Sequence, residues 1–68
     1  MYKVKLPYFM HDCPQWWQNL TKQYEYEKRI GFINDNGGRI FYIEGDDEFI
    51  DFIEFPSEAH FHWFLLKI

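Results

Sequence analysis

Four side chains in this sequence have the chemistry to hold a transition metal: His11, Cys13, His60 and His62. One thiolate and three imidazoles would complete the tetrahedral nitrogen–sulfur shell that zinc prefers. Their spacing is loose beside known zinc motifs. His60 and His62 point the same way only in an extended segment, because helical positions two apart diverge by about 200°. The set also needs residues 11–13 to meet residues 60–62. Surface histidines and one half-buried cysteine are the plainer interpretation, and a small metal-binding protein built on these four residues is the alternative. His11 with Cys13 is also the only arrangement suited to nucleophilic chemistry. A helix N-terminus lowers a thiol pKa, whereas the neighbouring Asp12 carboxylate disfavours the thiolate. The other carboxylates form no pair that stands apart from a solvated acidic face. Neither enzymatic activity nor a cofactor is expected.

Two glycine-containing segments carry weaker signals. Asn34-Asp35-Asn36-Gly37 faintly resembles a calcium loop, but position twelve falls on Gly45 or Asp46 where a bidentate Glu belongs. Asn36-Gly37-Gly38 lacks the Lys-Ser/Thr that a phosphate loop requires. A turn accounts for both.

The elements that must position these residues follow from patterning. Tyr2-Lys3-Val4-Lys5-Leu6 alternates strictly, as a half-buried strand does, and its lysines suit a sheet edge. Asp12-Cys13-Pro14-Gln15 reads as a helix start with Asp12 as cap, and Trp16, Trp17, Leu20 and Tyr24 form an apolar stripe over residues 13–24. Arg29 to Ile33 and Arg39 to Ile43 are rich in β-branched and aromatic residues. The Asn-Gly between them signals a hairpin. Gly45-Asp46-Asp47 makes a second turn and Phe49 to Phe55 a third strand of the meander. There Asp51 would share a face with Phe49, Ile53 and Phe55 unless a bulge intervenes near residues 50–51. Ser57 caps a last helix whose stripe is Phe61, Phe64, Leu65 and Ile68. A shorter helix to Trp63, followed by a strand over Leu65 to Ile68, fits equally well. The expected fold is one α+β domain over residues 1–68, in the order β-α-β-β-β-α with a terminal β as an option. Its sheet would be mostly antiparallel and its helices packed on one face.

The close of the chain, Ile53-Glu54-Phe55, an acidic cap with a short helix, then Phe64-Leu65-Leu66-Lys67, resembles small uncharacterised proteins of tailed bacteriophages of marine type. Those commonly place an aromatic after the basic residue, where this chain has Ile68. The resemblance covers the last quarter of the sequence. It implies a phage origin and a small α+β fold, and it brings no activity or site residues.

Composition narrows the function classes. The 68 residues hold a single cysteine, which excludes an internal disulfide and suits a reducing compartment. No signal peptide is expected behind Met1-Tyr2-Lys3-Val4-Lys5, and no apolar run is long enough to span a bilayer. A cytoplasmic protein without membrane attachment follows, in the host cytoplasm if phage-encoded. Eight Phe, five Tyr and three Trp make up 24% of the chain. That is more than a two-layer core of this size encloses, given about 150–250 Å² per ring. Exposed aromatics on a small domain point to a partner surface. The net charge is −4, and residues 40–68 hold seven acids against one lysine.

Lys3, Lys5, Lys28, Arg29 and Arg39 could share an outer sheet face with Tyr26 and Tyr42. Because the acidic half threads the same sheet, no nucleic-acid partner is expected. The expected role is a non-enzymatic protein-interaction module, pairing as a homodimer or binding a basic host protein. Its contacts would come from Trp16, Trp17, Tyr42 and Trp63, with Asp46, Asp47, Glu48 and Asp51.

Overall fold

A computed structural model describes residues 1–7 and 9–68, and the side chains of all of these except Met10, Asp47 and Glu48. The alternating N-terminal residues form strand β1 (Tyr2–Lys5). After a short 3₁₀ turn at Met10–Asp12 come helices α1 (Gln15–Gln23) and α2 (Tyr26–Asp35). Strands β2 (Arg39–Ile43) and β3 (Asp46–Phe55) and helix α3 (Glu58–Leu66) complete the chain. The sheet is antiparallel in the order β1-β3-β2, so the lysine-bearing β1 is an edge strand. Trp17 and Leu20 of α1, Ile33 of α2, and Phe61 and Phe64 of α3 are buried in one cluster with Ile50, Ile53 and Phe55 of β3. All three helices therefore cover one face of the sheet. The α+β class, the antiparallel sheet and the one-sided helix layer agree with the sequence.

One segment departs from expectation. Residues 29–33 belong to α2 and are not a strand, so the observed order is β-α-α-β-β-α. The Asn-Gly pair ends that helix instead of turning a hairpin. Gly37 has φ +87°, the left-handed conformation a helix C-terminus favours. Its N–H donates to the Asn34 carbonyl at 3.1 Å, and the Gly38 N–H donates to the Ile33 carbonyl at 2.9 Å. These are the two hydrogen bonds of a Schellman cap, which satisfies carbonyls that the helix end would leave unpaired. Asn36 Nδ2 adds a third, to the Phe32 carbonyl at 2.8 Å. The real hairpin joins β2 to β3 through Glu44 and Gly45, with Gly45 at φ +83°.

Other local features match their signals or are displaced slightly. The expected bulge is present: the β2–β3 register steps from Phe41↔Phe52 to Tyr42↔Ile50 and leaves Asp51 without a counterpart. That extra residue turns Ile50 inward, where it is buried with Ile53 and Phe55. Helix α1 starts after Pro14, with no side-chain cap, and Asp12 lies in the preceding 3₁₀ turn. Proline at the N-cap fixes an extended entry, which leaves Asp12 too far back to cap. In α3, Ser57 caps as expected: its Oγ accepts from the His60 N–H at 3.3 Å. The helix continues to Leu66, so residues 65–68 form no strand.

Candidate interaction surface

Helix α3 is apolar on both sides. Its inward stripe places Phe61 and Phe64 against Phe55, with ring centroids 5.3 and 5.4 Å away. Leu65 and Ile68 extend this contact at the edge of the core. The outward stripe is Ala59, Trp63 and Leu66, spaced i, i+4 and i+7 and all exposed. Trp63 is 60% exposed and Leu66 83%. A helix hydrophobic all round normally has a second covering surface. Trp63 leans on His60, with ring centroids 5.4 Å apart. Together they wall an open cleft of about 310 Å³ whose far side is Asp35, Asn36 and Pro56. Lys67 closes one end by donating to Asn36 Oδ1 at 2.6 Å.

The sequence-predicted contact residues separate. Trp17 is 6% exposed and belongs to the core. Trp16 is half-buried, meeting Trp17, Phe61 and Phe64 edge-on at 5.9, 5.6 and 5.8 Å. Both tryptophans of α1 thus build the fold, and neither is a free contact residue. Tyr42 is exposed at the β2 edge, where it accepts a 2.8 Å hydrogen bond from the Tyr26 hydroxyl. Asp46 opens β3, and Asp51 sits in the bulge 4.0 Å from Lys5 Nζ. The side chains of Asp47 and Glu48 lie outside the described residues. Of the predicted set, Trp63 alone occupies the outward face of α3, and the cleft beside it is lined by none of the others.

The four metal-ligand candidates are held by other partners. His11 pairs with Asp12 at 3.5 Å and is well exposed. The Cys13 thiol is buried and points at the Pro7 and Phe9 carbonyls, both 3.5 Å away. Burial, reinforced by the Asp12 carboxylate, pushes the Cys13 pKa up, so the thiol is not a primed nucleophile. His60 Nδ1 lies 2.7 Å from the Ser57 hydroxyl, and His62 Nε2 lies 3.6 Å from Glu58. Because residues 60 and 62 are helical, their side chains diverge. Among the described residues, no group of three His, Cys, Asp or Glu side chains converges to hold a metal ion.

Two features escaped the sequence reading. One is the Ala59-Trp63-Leu66 stripe, legible as a second helical period once both faces of α3 are counted. The other is the face of the sheet away from the helices. Cross-strand rows place Lys5, Phe52 and Phe41 side by side, and beside them Lys3, Glu54 and Arg39. Lys3, Lys5 and Arg39 stand on the face the sequence suggests for them, and Phe41 and Phe52 stand beside them there. Arg29 is elsewhere, on α2, over the rings of Trp17 and Tyr26 at 5.4 and 5.5 Å. No described helix is long and apolar enough to cross a membrane. The chain matches no family model, no curated protein and no solved structure.

Proposed function

We propose that the chain is a non-enzymatic interaction module that pairs with a second copy of itself through the outward stripe of α3. The observation that carries this reading is the exposure of Trp63 and Leu66 on a helix whose opposite side already fills the core. A domain of this length buries only about 60% of its unfolded surface, so covering further apolar area is a direct route to stability. The stripe itself holds no carboxylate, which matters because each chain carries a net charge of −4. Ala59, one turn before Trp63, leaves room for the indole of an antiparallel copy. A buried tryptophan at the centre of a small patch is the usual form of an interface anchor. The phage origin implied by the C-terminal resemblance would set this assembly in a host cytoplasm.

Sedimentation from low to high micromolar concentration tests the reading. A monomer–dimer equilibrium with a melting temperature that rises with concentration is expected. Leu66→Asp should shift it fully to monomer while preserving the far-ultraviolet circular dichroism. A monomer at every concentration, with concentration-independent melting, would overturn the homodimer. It would leave the acidic half of the chain and a basic partner protein as the version to pursue.

A further inference from the structure

The uncovered face of the sheet has a different chemistry from α3. Phe41 and Phe52 stack across strands β2 and β3 with centroids 4.6 Å apart and planes inclined by 15°. Each ring carries a cation: Lys3 Nζ lies 5.0 Å from the Phe52 centroid, and Arg39 Cζ lies 5.6 Å from the Phe41 centroid. Lys5 completes the row on β1. From these residues we infer that the open sheet face binds single-stranded nucleic acid.

The warrant is charge complementarity combined with a stacking pair. Phosphates require cations that track a backbone, and bases require aromatic faces; single-strand binding surfaces supply both. Lys3 and Lys5 are two positions apart on β1, about 6.6 Å, and Arg39 stands two strands away, about 10 Å. The three charges therefore frame the ring pair. Exposed cation–π contacts are worth only about 0.5–1 kcal/mol, so Lys3 and Arg39 can leave the rings at small cost. As they swing to phosphates they free ring surface for bases. In the unbound protein the same two side chains shield the rings from water.

The acids define where the strand lies. Glu54 sits in the row between Lys3 and Arg39, and Asp51 is 4.0 Å from Lys5, so the face is only slightly positive. Glu44 and Asp46 crowd the hairpin end of the sheet. A polyanion is thereby confined to the Lys3–Arg39 end, away from that turn. The acidic half does thread this sheet, yet the cross-strand register gathers Lys3, Lys5 and Arg39 on the face that carries the two rings. The stacked rings favour a nucleic acid over an acidic peptide, which would engage the cations alone, and the antiparallel face offers two rings side by side for stacked bases.

Fluorescence anisotropy with a labelled oligothymidylate at low salt tests the inference on the full chain. Binding should weaken with salt along a slope near −2, since about 0.7 is contributed per phosphate neutralised on a single strand. Phe52→Leu and Phe41→Leu should each weaken binding about tenfold or more, as loss of one stacked base would. Arg39→Gln should flatten the salt slope, and Glu54→Gln should strengthen binding; both positions are on the sheet surface, and unchanged melting would certify their folds. An abasic strand of equal length should bind more weakly than oligothymidylate. Absence of binding at low salt overturns the inference. So does equal binding of the abasic strand, of poly-glutamate or of anionic vesicles, which would reduce the face to a generic anion site. The face lies on the side of the sheet opposite α3, so Leu66→Asp should leave this binding intact, and failure here would not bear on the homodimer.

Discussion

Gly38 lies so close to Ile33 that a Cβ built on it would stand 2.5 Å from Ile33 Cγ2 and 3.1 Å from the Ile33 carbonyl oxygen. Ile33 is fully buried, and its neighbour Ile53 also comes within 3.3 Å of that Cβ position. The junction between α2 and β2 therefore closes only over a residue without a side chain. Gly38→Ala should destabilise the domain by about 1–3 kcal/mol, the usual range for forcing extra volume into a packed core. Gly37→Val should cost a similar amount, about 1–3 kcal/mol, for a different reason: it places a β-branched residue at φ +87°. Equilibrium urea denaturation of both variants checks the two values. An unchanged midpoint for Gly38→Ala would mean that α2 does not end against the core in this way.

The same junction shows why part of the fold was legible in the sequence and part was not. Positive φ at an Asn-Gly pair serves a hairpin and a helix C-cap equally well, so the dipeptide marks a reversal without naming the element before it. The tie-breaker was periodicity. Tyr26, Ile30 and Ile33 recur at i, i+4 and i+7, whereas the β-branched composition of residues 29–33 pointed to a strand. Tertiary packing overrode that propensity, with Ile30, Phe32 and Ile33 all packed in or against the core. The bulge was readable because only one residue out of phase could reconcile Asp51 with Ile53 and Phe55. Ser57 was readable because a cap acts locally. On α1, adjacent tryptophans differ by about 100° around a helix, so the pattern could not show that Trp16 would meet Phe61 and Phe64 of α3 while Trp17 lies under Arg29 of α2. The pairing of Phe41 with Phe52 depends on cross-strand register, which no single strand contains.

Tyr26 and Tyr42 tie the start of α2 to the edge of β2 through their hydroxyls. Partial burial of Tyr26, followed by its hydrogen bond to Tyr42, pushes its pKa up to about 12. The sign is that of a group raised on folding: stability from this contact is complete below the unfolded tyrosine value of about 10. It is then lost as pH rises toward 12. An ultraviolet phenolate titration should show one of the five tyrosines ionising last. That step should vanish in Tyr26→Phe. If the late step persists in the variant, the assignment to Tyr26 fails.

Cys13 has burial and a neighbouring carboxylate acting in the same direction on its thiol. Reaction with a disulfide reagent at neutral pH should therefore be slow in the native protein and become fast on denaturation. Asp12→Asn should speed the native reaction slightly, because only the smaller of the two causes is removed. A native rate equal to the denatured rate would show that the 3₁₀ turn over Cys13 opens freely.

Trp17 and Trp63 separate fold from association more sharply than any other pair. Trp17 is 6% exposed and Trp63 60% exposed, so the same substitution removes core from one helix and surface from the other. Trp17→Ala deletes an indole that packs against Trp16 edge-on and lies under the Arg29 guanidinium. It should cost about 3–5 kcal/mol, the typical loss for a large aromatic removed from a core. A domain this small holds little more than that in total, so the variant should be largely unfolded at any concentration. Trp63→Ala removes the contact with His60 and one wall of the cleft beside it. At low concentration, where monomer dominates, its melting temperature should match the parent protein. The two curves should diverge as concentration rises, because only the parent gains stability from pairing. Salt provides a second control. Two chains of charge −4 repel one another, so screening should strengthen a homodimer held by Trp63 and Leu66. A basic protein partner would show the opposite dependence. An oligomer that weakens with added salt would therefore contradict the carboxylate-free α3 stripe as its interface, even if Trp63→Ala disrupted it.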